Sequence, residues 1–328
     1  MGGVVATLAL VVAAKAGVTM ATRHENISAV WPATGVAIWI LITFGHRMWP
    51  VIAAVTWLVE VGWAEFPPVP AALIAAGATL EALAGAWLWR AVRQWWPGDP
   101  GAAAGCCVAA LVAPLANASV GAAVVISQGG VAVSVPQLWV TWWMGDAFGA
   151  LALWPVLRAA PELGRMVRNE IVVDAARAVF LLLAVAGVSW LAFSFVRWRA
   201  FLFSVFPVLL LAMGWFGAAG ARFGALLIAW AGITAEFAGH GLFGGGTGHS
   251  NLLQLQVFLA SVAVAALVLP LFRVRGSMLV PVTVLLVGWT LSGWLFATLE
   301  RDGRRRQQEA FNQQVAEAEA VIRLRMTR

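Results

Sequence analysis

Apolar blocks long enough to cross a bilayer follow one another along most of this chain, separated by short polar breaks. A hydrocarbon core about 30 Å thick takes roughly 20 apolar residues in a helix. Only helices and closed barrels satisfy their backbone groups in lipid. Barrel strands would show short alternating segments, and that pattern is absent. The reading is all-α: a polytopic transmembrane helical bundle of about 10–11 spans, with a C-terminal signalling or juxtamembrane helix. Composition agrees. The chain is 62% hydrophobic and 11% charged, against roughly half and a quarter in soluble domains.

Eleven spans are expected: Gly3–Met20, Val30–Gly45, Trp49–Ala64, Ala71–Trp89, Ala102–Val124, Leu138–Leu157, Ala178–Val196, Ala200–Gly217, Gly224–Ala238, Leu252–Phe272 and Met278–Leu299. The first lacks a basic leader and a small-residue cleavage site, so it reads as a retained span. The net charge of +6 does not point to nucleic acid, because the arginines lie between apolar blocks. Arg47, Arg90, Arg93, Arg158, Arg165, Arg168, Arg177, Arg222, Arg273 and Arg275 fall in alternate loops, whereas the intervening loops hold only Arg23, Arg197 and Arg199. The positive-inside rule then makes the N-terminus cytoplasmic. Eleven crossings put the C-terminus outside. The basic tail Glu300–Arg306 points the other way, and a count of ten would place it inside. The longest internal break is Arg158–Arg177, and no internal repeat is visible. Of 19 tryptophans, Trp31, Trp49, Trp95, Trp96 and Trp198 sit near span ends, as in an interfacial belt. Cys106 and Cys107 are adjacent in an apolar segment and read as two small hydrophobes.

Against this background the charged residues inside spans stand out. A carboxylate at the centre of a span costs roughly 2.5–3.5 kcal/mol on insertion scales. Lys15, the only lysine, lies inside the first span, Glu81 near the middle of the fourth and Asp146 near the middle of the sixth. Glu60 and Glu236 sit in the outer parts of the third and ninth. Asn117 and Ser119 share their depth. The common level points to one polar pocket opening outward, with Lys15 facing the acids. Two roles fit this network: a ligand, proton or ion site, or a structural ion pair. Glu60 and Glu236 also read as snorkelling to water.

Gly239–Ser250 lacks the Lys-Ser/Thr ending of a phosphate loop and reads as flexible loop. His240 and His249 in that loop are weak metal ligands. No catalytic triad, dinucleotide fingerprint or zinc spacing occurs, so no catalytic residue, metal or cofactor is expected.

Three segments together resemble a known family: Asn26–Pro50 (NISAVWPATGVAIWILITFGHRMWP), Gly77–Arg90 (GATLEALAGAWLWR) and Trp139–Pro155 (WVTWWMGDAFGALALWP). Their order and spacing are similar to the type-one membrane-associated sensor domain of bacteria, the MASE family, over about residues 1–275. Lys15, in AKAG, fits that family's first span. The motifs make physical sense. Pro32 stands where a helix begins and needs no backbone donor. Gly35, Gly77, Gly85, Gly145 and Gly149 permit close helix contact. Trp31, Trp142, Trp143 and Pro155 complete the motif positions.

The resemblance implies a sensory input module of a bacterial inner membrane, preceding a histidine kinase, diguanylate cyclase or phosphodiesterase, with a homodimer through the output region. The segment itself is then non-catalytic. Residues 276–299 would form a final transmembrane helix. Residues 300–328 would form a juxtamembrane helix on Phe311, Val315, Ala318 and Ile322, similar to the start of an extracellular CHASE domain. The rival reading is a cytoplasmic signalling helix leading directly to an output module. The sequence stops mid-helix, so the output module is expected beyond Arg328. Besides the bilayer, the expected partner is an unknown small-molecule ligand or a membrane protein. The alternatives are a small-solute or proton transporter, and a module that senses a partner through its spans; an intramembrane enzyme is the least favoured.

Overall fold

The computed structural model describes residues 2–21, 28, 30–129, 134–169, 171–194, 205–237, 248–272 and 312. The chain divides into two compact units, Met1–Ser277 and Met278–Arg328. Of the second unit only Asn312 is described, and it is helical. The expected last span and tail helix, with its CHASE-like reading, therefore lie outside the described residues.

The first unit is all helix, with no strand among the described residues. Its helices are α1 (Gly2–Ala21), α2 (Pro32–Phe44), α3 (Trp49–Gly62), α4 (Pro68–Trp95), α5 (Asp99–Val112), α6 (Pro114–Ser127), α7 (Val135–Asn169), α8 (Ile171–Ser194), α9 (Val205–Phe237) and α10 (Gly248–Val268). Prolines open α2, α4 and α6 in their first turn. There the missing N–H would have had no partner anyway. Ala113, between α5 and α6, keeps helical dihedrals, so the two form one stalk that corresponds to the expected Ala102–Val124 span.

The bundle is apolar on its outside. Leu73, Leu80 and Trp87 form an exposed stripe on α4, as do Val4, Leu8 and Val12 on α1 and Phe180, Leu183 and Trp190 on α8. Water would penalise such stripes; lipid does not. Inside, alanines dominate: Ala6, Ala33, Ala37, Ala82, Ala86, Ala109 and Ala110 are all buried. Small side chains let helices approach closely where van der Waals packing, not water exclusion, drives association. One such close approach joins α2 to α7. A Cβ on Gly149 would overlap the Trp31 carbonyl, and one on Gly35 would overlap the Gly149 carbonyl.

Three expectations need correction. The Arg158–Arg177 break is not a loop, since α7 runs through Pro155 and Pro161 to Asn169 and α8 begins at Ile171. The pattern ended at Arg158 because apolar periodicity ended there, but a helix leaving the bilayer needs no apolar face. Second, Val30–Trp31 is not helical. The second helix begins only at Pro32, after an extended entry whose Trp31 N–H donates to the Gly145 carbonyl (3.0 Å). Non-helical backbone at membrane depth is tolerated where protein buries it and completes its hydrogen bonds. Third, Trp31 is half-buried with its ring against Gly17, so it is a packing residue and not part of a belt. Trp49, Trp95 and Trp96 are exposed near helix ends, as expected; Trp198 lies outside the described residues.

Within α9 the chain reverses at Phe216 (φ −119°, ψ 15°) and Gly217 (φ 62°, ψ −153°). A Cβ on Gly224 would lie 3.3 Å from both Ala212 and Leu209. In one straight helix, residues 12 and 15 apart would be roughly 18 and 22 Å distant. The two arms, 205–215 and 218–237, therefore lie against each other, matching the two separate spans expected there. Gly217 occupies a region that only glycine enters without strain.

Candidate functional site

The ends of α1, α3 and α6 meet the starts of α4 and α7 at one end of the bundle. A cavity of about 360 Å³ opens there. Its walls come from α1, α3, α4, α6, α7 and the extended entry to α2, and include Glu60, Asn117, Thr141, Trp142 and Asp146.

Asp146 is the centre of its polar network. It stands 11 residues into α7, about 17 Å along the axis, and is 3% exposed. Its Oδ1 accepts a hydrogen bond from Thr34 Oγ1 (3.1 Å), and its Oδ2 accepts one from Asn117 Nδ2 (2.9 Å). Thr34 reaches it because Trp31 docks on Gly145 and brings the start of α2 down to that level. Asn117 Oδ1 lies close against Gly77, where a Cβ would come within 2.9 Å.

Glu81 is 1% exposed and shares the neighbours Thr34, Asn117 and Asp146. Glu60, 4% exposed, lies near Asp146 and lines the cavity. Two buried acceptors, Glu81 Oε1 and Asn117 Oδ1, meet no donor.

Four of the five expected network residues thus converge: Glu60, Glu81, Asn117 and Asp146. Lys15 does not join them. Its side chain is exposed, with Nζ 5.0 Å from the centre of the Trp63 ring. Depth along the first span was legible, but the face of α1 that bears Lys15 was not. The expected facing of Lys15 and the acids is therefore corrected. Ser119 shares the depth of Asn117 but is exposed, and accepts a hydrogen bond from Trp139 Nε1 (3.1 Å). Glu236 is half-buried on α9. The side chains of His240 and His249 lie outside the described residues. No group of three or more potential metal ligands occurs among the described residues.

The motif residues brace this site. Trp142 packs against Gly121 of α6, where any Cβ would collide with the ring. Trp143 Nε1 donates to the Leu111 carbonyl (2.8 Å) and stacks with Trp139 at 6.2 Å. Pro155 lies instead at the opposite end, on a second cavity of about 410 Å³ with Asp99, Arg158 and Arg222. There Arg93 and Arg158 flank the Trp89 ring, at 5.1 and 4.9 Å from its centre.

Sequence reading missed Thr34 and Gln256. Gln256 is fully buried on α10, and its Nε2 donates to the Ser28 carbonyl (3.3 Å) and the Thr141 carbonyl (3.4 Å). A glutamine inside an apolar span is a polar signal of the same kind as Asn117.

The MASE1 family model matches residues 1–277 of the chain. No curated protein and no solved structure matches it.

Proposed function

The chain belongs to the MASE1 family, membrane sensory domains of signalling proteins, and we propose that it senses a small molecule in the Asp146 cavity. The observation that carries this reading is the polar network itself. Asp146, Asn117 and Thr34 on three different helices are tied by two hydrogen bonds at the inner end of an open cavity. A ligand reaching Asp146 would compete for or reinforce those bonds and so shift α2, α6 and α7 against one another. The change would pass along the last helix to an output module, a histidine kinase or diguanylate cyclase, acting as a homodimer. A coupling of about 1–3 kcal/mol suffices to change output several-fold to a hundredfold.

In the full-length receptor, Asp146→Asn is expected to abolish the ligand-dependent change in kinase or cyclase output while expression stays normal. An unchanged response removes Asp146 from the mechanism. Proteoliposome flux abolished by the same substitution would favour a transporter instead.

The proposed orientation puts the cavity on the outer face of the inner membrane, because Arg47, Arg90, Arg93 and Arg158 belong to the opposite end. Glu65 stands at the cavity end of the bundle, and Trp95, 90% exposed, stands at the other. A membrane-impermeant thiol reagent should label Glu65→Cys in intact cells with an opened outer membrane, and Trp95→Cys only after the inner membrane is lysed. The reverse pattern overturns the cytoplasmic N-terminus.

A further inference from the structure

We propose that the cavity takes a small organic ammonium, an inference that rests on the sensory reading of the same site. Its lining is acidic at each level. Glu65 is exposed at the mouth, Glu60 is buried along the wall and Asp146 lies at the inner end, with Glu81 behind it. Among the described residues no Lys, Arg or His lines it. Lys15, the one cation placed by sequence at this depth, is spent on the Trp63 ring outside the cluster.

An anionic ligand would meet like charge at every step, and like charges in a low-dielectric pocket repel strongly. A cation meets the reverse. The buried polar atoms left unpaired around the cavity are also of one kind, all acceptors. Asn117 lines the cavity, is 3% exposed, and its Oδ1 has no donor; neither does Glu81 Oε1. Asp146 receives one neutral donor on each oxygen and retains lone pairs for more.

The remaining walls decide between an inorganic and an organic cation. Trp31 and Trp142 line the same space. Aromatic faces beside carboxylates are the means by which proteins hold ammonium groups, whereas a hydrated metal ion gains little from indole. The volume, about 360 Å³, suits a small molecule.

The test uses the full chain in lipid nanodiscs, with choline and putrescine as probes and succinate and sodium chloride as controls. Binding to the folded state raises the melting temperature, and the rise grows with the logarithm of ligand concentration above Kd. Choline or putrescine is expected to raise it beyond sodium chloride at equal ionic strength, and succinate is not. Glu60→Gln should weaken the apparent affinity about tenfold or more, equivalent to ~1.4 kcal/mol. Should that variant fold poorly, Glu65→Gln at the exposed mouth reads the same loss. No shift with either cation, a shift that neither variant changes, or a shift with succinate in their place each overturns the ammonium assignment. Those results leave the sensory role to the receptor assay. Conversely, cation binding in a receptor whose output does not respond to the cation would retain this site and overturn the sensory reading.

Discussion

Gly149→Val is expected to lower the stability of the membrane unit by about 3 kcal/mol, the upper range for overpacking a tight core. The reason is what the new side chain would strike. A Cβ there overlaps the Trp31 carbonyl, a backbone group at the extended entry to α2 that cannot swing aside. α2 and α7 must part, and the Trp31 N–H then loses the Gly145 carbonyl. An N–H orphaned away from water adds about 1–3 kcal/mol of its own. Thr34 leaves Asp146 by the same movement, so the site is expected to fail with the fold. Gly187→Ala is the control, because nothing lies within 4 Å of a Cβ there. It should be neutral or stabilising by up to about 1 kcal/mol. Thermal or denaturant unfolding in a fixed detergent decides the matter. Equal stability of Gly149→Val and the parent would mean that α2 and α7 do not meet in this way.

The second large effect separates the two roles open to Asp146. As a structural hub it should be costly to change in any way. As a ligand group it should be costly only to function. The structure favours the second outcome for the isosteric change. Asp146 faces Glu81 and Glu60, with no described cation among them. Asp146→Asn removes one of three clustered carboxyl groups and keeps an acceptor for Thr34 or Asn117, so stability should stay within about 1 kcal/mol of the parent or rise. Asp146→Leu orphans both donors, the Thr34 hydroxyl and the Asn117 amide, and should lower stability by about 2–4 kcal/mol. Melting of the two variants beside the parent checks this. A strongly destabilised Asp146→Asn would make the carboxylate structural.

The fold class was legible because lipid leaves few choices, and the apolar blocks at Leu252–Phe272 and Gly3–Met20 became α10 and α1 with small changes at their ends. The α9 reversal was legible too, since Gly217 and Arg222 mark a break between two apolar runs. The continuation of α7 to Asn169 was not, because helix beyond the bilayer carries no apolar signature.

At the site, sequence distance told depth and not direction. Glu60, Glu81, Asn117 and Asp146 are expected at one level, and the structure brings them near one another. Lys15 was set at the same level and faces elsewhere, because its position on α1 puts it with the exposed residues and not with Ala14 and Val18. Thr34 gave no depth signal, being only two residues into α2; it reaches Asp146 because the chain enters extended and docks Trp31 on Gly145.

The order of residues alone makes this a chain that crosses the membrane many times as helices and carries acids too costly to be incidental. Hydropathy is a one-dimensional quantity, and the bilayer reads it in one dimension, along the normal. Which acids share a cavity, which cation is absent from it and which glycines let the helices close around it depend on rotation about each helix axis. Packing fixes that rotation, through contacts such as Gly149 on Trp31 and Trp142 on Gly121, and only the tertiary structure contains it.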